Sequence, residues 1–562
     1  MKRPNFKKPI LTSATLALIC FSSVAFAGKI FSVSKWERAE ISLKSSKTYT
    51  NAIQEAEVRA LFVSPLGETN RVYGFWDGGK SWKIRFKPTF PGRWKYFTMC
   101  SDTVNTGLHG QSGEFDCTAA KTDSIFAKHG PIQTARDQKH LEHADRTPFL
   151  WLGDTAWSAA TKSTAAEWQS YSETRASQKF NVTTWRLQSD KSDAKNATFN
   201  LQSDVRVNLE KAREIDAKIQ TANRAGLLNA IAPLWEIGDA SSKALPEDQA
   251  IVLLRYAVAR WGADDVAWVI AFECDNTGAQ AARWQRIGRA VFNVVTHAPV
   301  VLLPGESIWA LDGFRQERWA NIFGVQTTSA SSEASLPWLL NGPISAERNK
   351  TPLRPIITIN PPTEVETPNA PTHSVNSDLS RRLIWWGLML NTPAGVSYSA
   401  KDVAEWNTTK STETDVQHWK TAMTLSGATS VGAAADFFVG KEFWRLESSE
   451  QLLTTQPGFN SPLTHVSAAR TTDQDLTLIY TPQERVVSVL METNHSTGRT
   501  TWFNPRTGET RAAIGTGDNA SQRFETPAAG DWLLVISANA ETQNKQLASR
   551  PRKSSGEIDK RR

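Results

Sequence analysis

Cysteine is scarce. There are four in 562 residues, with no Cys-x-x-Cys pair, no His-Glu-x-x-His and no other His/Cys cluster. That argues against a structural zinc site. A Gly-x-Gly-x-x-Gly after a strand-like run, a Walker A loop and a Gly-x-Ser-x-Gly elbow are also missing. Their absence removes the usual grounds for nucleotide binding and for esterase chemistry, and no cofactor is expected. Beyond the first 27 residues no apolar run reaches the ~20 residues of a membrane span, and no repeat of 20–50 residues is visible. Net charge is +7, but the excess sits at the ends: residues 1–27 carry +4 and 545–562 carry +5, leaving −2 on the body. A near-neutral body argues against a nucleic-acid partner. With 40% hydrophobic and 22% charged residues, the chain has the composition of a protein that buries a large core.

The ends read as processing and tail. Lys2–Lys8 form a basic region, Ile10–Phe21 an apolar one, and Ala25-Phe26-Ala27 a small-x-small cleavage site. That is a secretory signal peptide, so a secreted or periplasmic protein is expected. The polar, basic stretch from Lys545 reads as disordered. Export would permit a disulfide, and Cys100 and Cys117, 17 positions apart in one small domain, are expected to form it.

Three textures follow along the chain. Residues 28–120 alternate with period two, as in Glu57–Val63 and Trp82–Phe86, and are punctuated by turns such as Asp77-Gly78-Gly79 and Pro91-Gly92. They read as a β-sandwich. Between 125 and 435, eight short apolar runs are separated mostly by helix-like stretches. The runs are 149–152, 182–185, 227–233, 266–272, 300–303, 322–325, 355–359 and 395–398; the stretches include 209–225, 249–261 and 281–295. Alternating β and α predicts a parallel sheet, and eight strands predict a (β/α)8 barrel, with a doubly wound sheet as the alternative. Residues 436–544 return to β texture and read as a second β-sandwich.

Particular residues then carry a resemblance. Thr147–Trp157, Phe180-Asn181-Val182, Ala225-Gly226-Leu227, Arg260-Trp261-Gly262 with Val266–Ile270, and Ala394–Tyr398 with Trp406 are similar to strand signatures of the apiosidase-like glycoside hydrolase barrels. Gly74–Gly79, Pro91–Trp94 and Gly107–Gly110 resemble the immunoglobulin-like domain that precedes such barrels. Phe443–Leu446 and Trp502–Gly508 resemble the β-domain that follows them, which carries the family label "putative collagen-binding". The resemblance covers roughly residues 50–535. It implies an exported hydrolase acting on a polysaccharide or oligosaccharide, with polysaccharide side chains as the expected substrate.

Glycoside hydrolysis takes two carboxyl groups across the scissile bond, and in a barrel both belong at C-terminal strand ends. The acids that follow strands are Asp154, Asp190, Glu236, Glu273, Asp275, Glu306 and Glu364. The resemblance places the catalytic acid of the fourth strand at Glu273, whose alternative is a structural carboxylate paired with an arginine such as Arg186. It implies a second glutamate at position 360, where this chain has Asn360, followed by Pro361-Pro362-Thr363-Glu364. Glu364 is the first candidate to replace it, ahead of Glu366 and Glu306. Asp154, Trp157, Trp235, Glu236, Asn360 and Tyr398 are the candidate sugar contacts. Two other readings stay open: an inactive glycan-binding protein using the same cleft, and an adhesion or matrix-binding protein using its flanking domains.

Overall fold

The computed structural model describes residues 31–188, 197–201, 204–234, 245–271, 278–327, 332–365, 374–390, 393–409, 418–491, 499–518 and 520–537. At its centre is a closed barrel of eight parallel strands, the (β/α)8 architecture expected. The strands are β1 (Trp151–Thr155), β2 (Val182–Arg186), β3 (Leu228–Ala232), β4 (Val266–Ala271), β5 (Val300–Leu303), β6 (Ile322–Gln326), β7 (Ile356–Asn360) and β8 (Pro393–Tyr398). The outer layer includes α1 (Ala165–Ser177), α2 (Leu209–Arg224), α3 (Glu247–Trp261), α4 (Ala279–Phe292), α5 (Ser332–Asn341), α6 (Ser377–Leu390) and α7 (Ser426–Phe438).

Local chemistry starts these helices where they start. Thr164 caps α1 in a reciprocal box: the Glu167 N–H donates to Thr164 Oγ1, 3.2 Å, and the Thr164 N–H to Glu167 Oε2, 2.8 Å. Asn208 caps α2 by accepting from the Lys211 N–H, 3.2 Å. The α2 residues Ala212, Ile215, Ile219 and Ala222 recur at helical spacing, and all are buried.

Strand alternation divides the barrel core in two. Trp151, Val182, Ala230, Val269, Val301, Ile322 and Ile357 fill the lumen. Leu152, Trp185, Ile231, Trp268, Leu302, Phe323 and Val396 face the helices. A three-stranded sheet (Ile132–Thr134, Leu141–His143, Pro148–Phe149) joins Ile132, Leu141 and Phe149 to the lumen cluster and covers the N-terminal end of the barrel. The other, C-terminal end is the mouth.

Both flanks are β. In the N-terminal domain one seven-stranded sheet surrounds a core that includes Ile41, Phe62, Trp82, Trp94 and Phe115. The domain docks on α2 and α3 through ions. Asp216 takes Arg85 Nη1 at 3.0 Å from one side and Arg260 Nη2 at 2.7 Å from the other. Arg38 meets Asp264 at 2.7 Å and Lys87 meets Asp265 at 2.5 Å. The C-terminal domain stacks a six-stranded sheet on a three-stranded one around Trp502, Phe524 and Trp532. It is fixed to α6 by Arg381, whose Nε donates to the buried Asp531 at 2.7 Å; Tyr480, from the C-terminal domain itself, donates its hydroxyl to the same carboxylate at 2.9 Å.

The expected disulfide is absent. Cys100 and Cys117 are buried free thiols. The strand Gly92–Cys100 explains why: Cys117 lies opposite Gly92 at one end of it, while Cys100 is the other end. Eight strand residues at ~3.3 Å each separate them by about 25 Å, and a disulfide needs Cα atoms within ~7 Å. Spacing in sequence measured the loop, and the strand spent it on distance.

Candidate functional site at the barrel mouth

The mouth is built from the ends of β1, β2, β6 and β7. Its central feature is a bulge. Val325 pairs with Thr358, but the next residue, Gln326, pairs with Asn360, leaving Ile359 as an extra residue in β7. Thr358 faces α6, toward Gly387. Strict alternation would send Asn360 the same way; the bulge brings it round to the lumen beside Ile359.

There Asn360 joins a row of neutral hydrogen bonds. Trp157 Nε1 donates to Asn360 Oδ1 at 3.2 Å, Asn360 Nδ2 donates to Gln326 Oε1 at 3.1 Å, and Gln326 Nε2 donates to the Pro304 carbonyl at 2.7 Å. Thr155 Oγ1 donates to the Ile359 carbonyl at 2.6 Å, which ties β1 to the bulge. The Arg186 N–H donates to the Trp157 carbonyl at 2.9 Å, and its Nη2 donates to Ser158 Oγ at 3.1 Å, so a cation borders the row. An indole, two amides and a guanidinium can hold hydroxyl groups. None of them can attack an anomeric carbon or take a proton at neutral pH.

The placement of the expected residues divides sharply. Trp157 and Asn360 stand at the mouth. Asp154, Tyr398 and Glu364 do not, and their expected roles as sugar contacts or catalyst are corrected here. In β1 the inward positions are Trp151, Gly153 and Thr155; a Cβ at Gly153 would lie 2.5 Å from Ser397 Oγ. Asp154 therefore points outward. It is fully buried and accepts from Arg175 Nε and the Tyr171 hydroxyl, both of α1 and both at 2.8 Å. Tyr398 also faces the helix layer, with the Arg175 guanidinium 5.7 Å from its ring centre. Its hydroxyl donates to Glu364. Glu364 is 1% exposed, and its other oxygen accepts from the Gly427 N–H at the start of α7, 3.2 Å. Burial beside these carboxylates raises the Tyr171 and Tyr398 hydroxyls well above their ordinary range, so both remain protonated donors. Two candidate site acids thus belong to one structural cluster between barrel wall and helices.

Glu306 follows β5. Its neighbour Ser307 donates its N–H to the Gln326 carbonyl, 3.0 Å, which brings that loop to the amide row. Partial desolvation raises the Glu306 carboxyl above its ordinary value. Trp235, Glu236, Glu273 and Asp275 lie outside the described residues, as do Asp190 and Glu366. Gln326 is the mouth residue that sequence reasoning missed. Its signal was available: a Gln-Thr pair directly after the apolar run of β6. Among the described residues no group of three or more His, Cys, Asp or Glu is arranged to hold a metal, and no helix is long and apolar enough to cross a membrane.

A closed parallel barrel carrying a β-domain on either side defines the class. Residues 135–445, more than half of the chain, match the family described as "Apiosidase-like, catalytic domain", and the chain belongs to that family. Residues 32–101 match a domain of unknown function designated DUF5060, and residues 451–537 match "Putative collagen-binding domain of a collagenase". Among solved structures, the fold is similar to that of a "putative glycoside hydrolase" from Bacteroides vulgatus ATCC 8482, at 17% identity and TM-score 0.67, covering 91% of this chain and 100% of that one. A second similar structure, described as a glycoside hydrolase, is 15% identical with TM-score 0.63, over 75% of this chain and 99% of the other. A glycoside hydrolase family 5 protein from the same Bacteroides is 17% identical with TM-score 0.62, over 74% and 95%. At such identities the likeness is one of fold. No curated protein sequence matches the chain.

Proposed function

We propose that this is an exported glycosidase-type protein that takes the side chain of a polysaccharide at the mouth of its barrel. The observation that carries the reading is the Trp157–Asn360–Gln326 row. It presents an indole and fixed amide groups at the rim where this fold class keeps its chemistry, and such groups suit the hydroxyls of a sugar. The chain's signal-like N-terminus supports export.

Hydrolysis needs two carboxyl groups. The family resemblance assigns one to Glu273. Position 360 cannot supply the other, and Glu364 is held inside the wall by Tyr398 and Gly427. We assign it to Glu306, the acid whose loop is hydrogen-bonded to Gln326. The resemblance gives Glu273 the part of the catalytic acid, which leaves that of nucleophile or base to Glu306. The amide at position 360 specifically favours a second reading, in which the same mouth binds a glycan without cleaving it.

One experiment separates them: reducing-sugar release from a polysaccharide panel, with glycan binding measured by calorimetry alongside. The hydrolytic reading expects release by the wild type, and its loss in both Glu273→Gln and Glu306→Gln. Release that survives Glu306→Gln overturns the assignment of that residue. A glycan that binds without release, with Asn360→Glu gaining turnover, establishes the second reading. No binding and no release across the panel rejects both.

A further inference from the structure

We propose that the groove between α7 and the outer face of the C-terminal six-stranded sheet is a second binding site, one for an anionic polysaccharide. It stands apart from the mouth. The N-terminus of α7 meets Glu364 near the C-terminal rim, so its C-terminus lies at the opposite rim. The groove runs along the C-terminal part of α7 and the end of α1, where Ser177–Lys179 lead into the base of β2.

Its volume is about 810 Å³, within the ~300–1,000 Å³ range of ligand-binding clefts. Strand alternation makes its wall. Trp502, Leu534 and Ile536 fill the sandwich core, which turns Arg499, Thr501, Val535 and Ser537 outward into the groove. On the facing helix, Ala433 leaves the space open, while Gly432 packs against the Gln178 carbonyl.

Charge and polarity select the occupant. Lys179, Lys441, Arg499 and Arg506 line the groove against one carboxylate, Asp436, and Lys179 already pairs with it. Arg506 lies 3.4 Å from Asp531, a carboxylate that Arg381 and Tyr480 already engage. Arg499 is exposed and makes no ion pair among the described residues. Lys441 stands 4.2 Å over the Phe437 ring, and partial burial there lowers its ammonium pKa. Its positive charge is one that a ligand anion would stabilise. Thr429, Thr501, Thr510 and Ser537 add hydroxyls along the walls, whereas Phe437 and Phe503 are at least nine-tenths buried. Cations interleaved with hydroxyls, and no exposed aromatic anchor, fit a polyhydroxylated acidic chain better than a peptide. The anion can be a uronate carboxylate or a sulfate ester.

Affinity electrophoresis of the full chain tests this, in gels containing polygalacturonate, chondroitin sulfate, neutral dextran or poly-glutamate. Retardation by either acidic glycan and not by dextran is expected; which one retards identifies the anion. Arg499→Gln combined with Lys441→Gln should weaken it by roughly tenfold or more. Lys441 packs on Phe437, so Ala433→Phe, which fills the floor and keeps every charge, provides an independent variant and should also weaken it. Equal retardation of the wild type and the Ala433→Phe variant overturns the site. So does equal retardation by dextran, or stronger retardation by poly-glutamate than by either acidic glycan.

Discussion

Asp154→Asn isolates one carboxylate charge at almost constant volume, and it tests where that charge acts. The Asp154–Arg175 pair is fully buried on both sides. Removing one charge leaves the Arg175 guanidinium without its counter-ion inside the wall, and such a loss costs about 3–5 kcal/mol. At ~2–4 °C in the melting midpoint for each kcal/mol, a fall of roughly 6–20 °C is expected. Thermal unfolding followed by far-UV circular dichroism reads it. A companion variant sharpens the test. Asp154→Leu with Arg175→Met removes both charges and should melt above Asp154→Asn, because no unpaired ion remains. Glycan binding at the mouth should be unchanged wherever the protein is folded, since Asp154 faces α1 and not the lumen. An Asp154→Asn variant that melts with the wild type but loses glycan affinity would refute the outward placement.

Other outcomes follow from the same geometry. Cys100 and Cys117 should both alkylate in denaturant without prior reduction. In the folded protein at pH 8 Cys117 should react slowly, because burial raises its thiol to about 11; mass spectrometry showing a blocked pair would contradict the strand register. Trp157→Phe removes the indole N–H that fixes Asn360 and should weaken glycan binding at the mouth, with melting lowered by no more than the ~1 kcal/mol of one hydrogen bond; unaltered affinity would remove Trp157 from the site. Asp264 is buried beside Arg38, and desolvation raises its carboxyl to about 6. The folded state holds that proton longer than the unfolded one, so this group's contribution to stability falls as pH rises from about 4 to 6 and is level beyond. The fall is about 3 kcal/mol. The stability of the wild type relative to Asp264→Asn, followed by urea unfolding, should drop across that window; a constant difference would show that Asp264 ionises normally.

The barrel was legible because its signal is periodic. Runs such as Val266–Ile270 and Ile322–Val325 are apolar on both faces, as a parallel strand between lumen and helices must be. The helix in 209–225 was legible in the helical spacing of Ala212, Ile215 and Ile219; its cap, Asn208, came only with the structure. The site was legible only in part, because position at a strand end does not say which way a side chain faces. Asp154 and Thr155 are adjacent, and one joins the helix layer while the other bonds across the lumen. Asn360 shows the converse: simple alternation would hide it, and a bulge of one residue exposes it. The Cys100–Cys117 pairing failed for a related reason, since nothing in a spacing of 17 says that one strand will hold its two ends apart.

The seam between the N-terminal domain and the barrel sets a limit on modularity. Asp216 is held at once by an arginine from each side, and Asp264 and Asp265 take their cations from the neighbouring domain. A barrel expressed alone would carry these three acids stripped of Arg85, Arg38 and Lys87, Asp216 on α2 and the other two in the turn between α3 and β4. With that seam made of ion pairs, the two domains are expected to melt together.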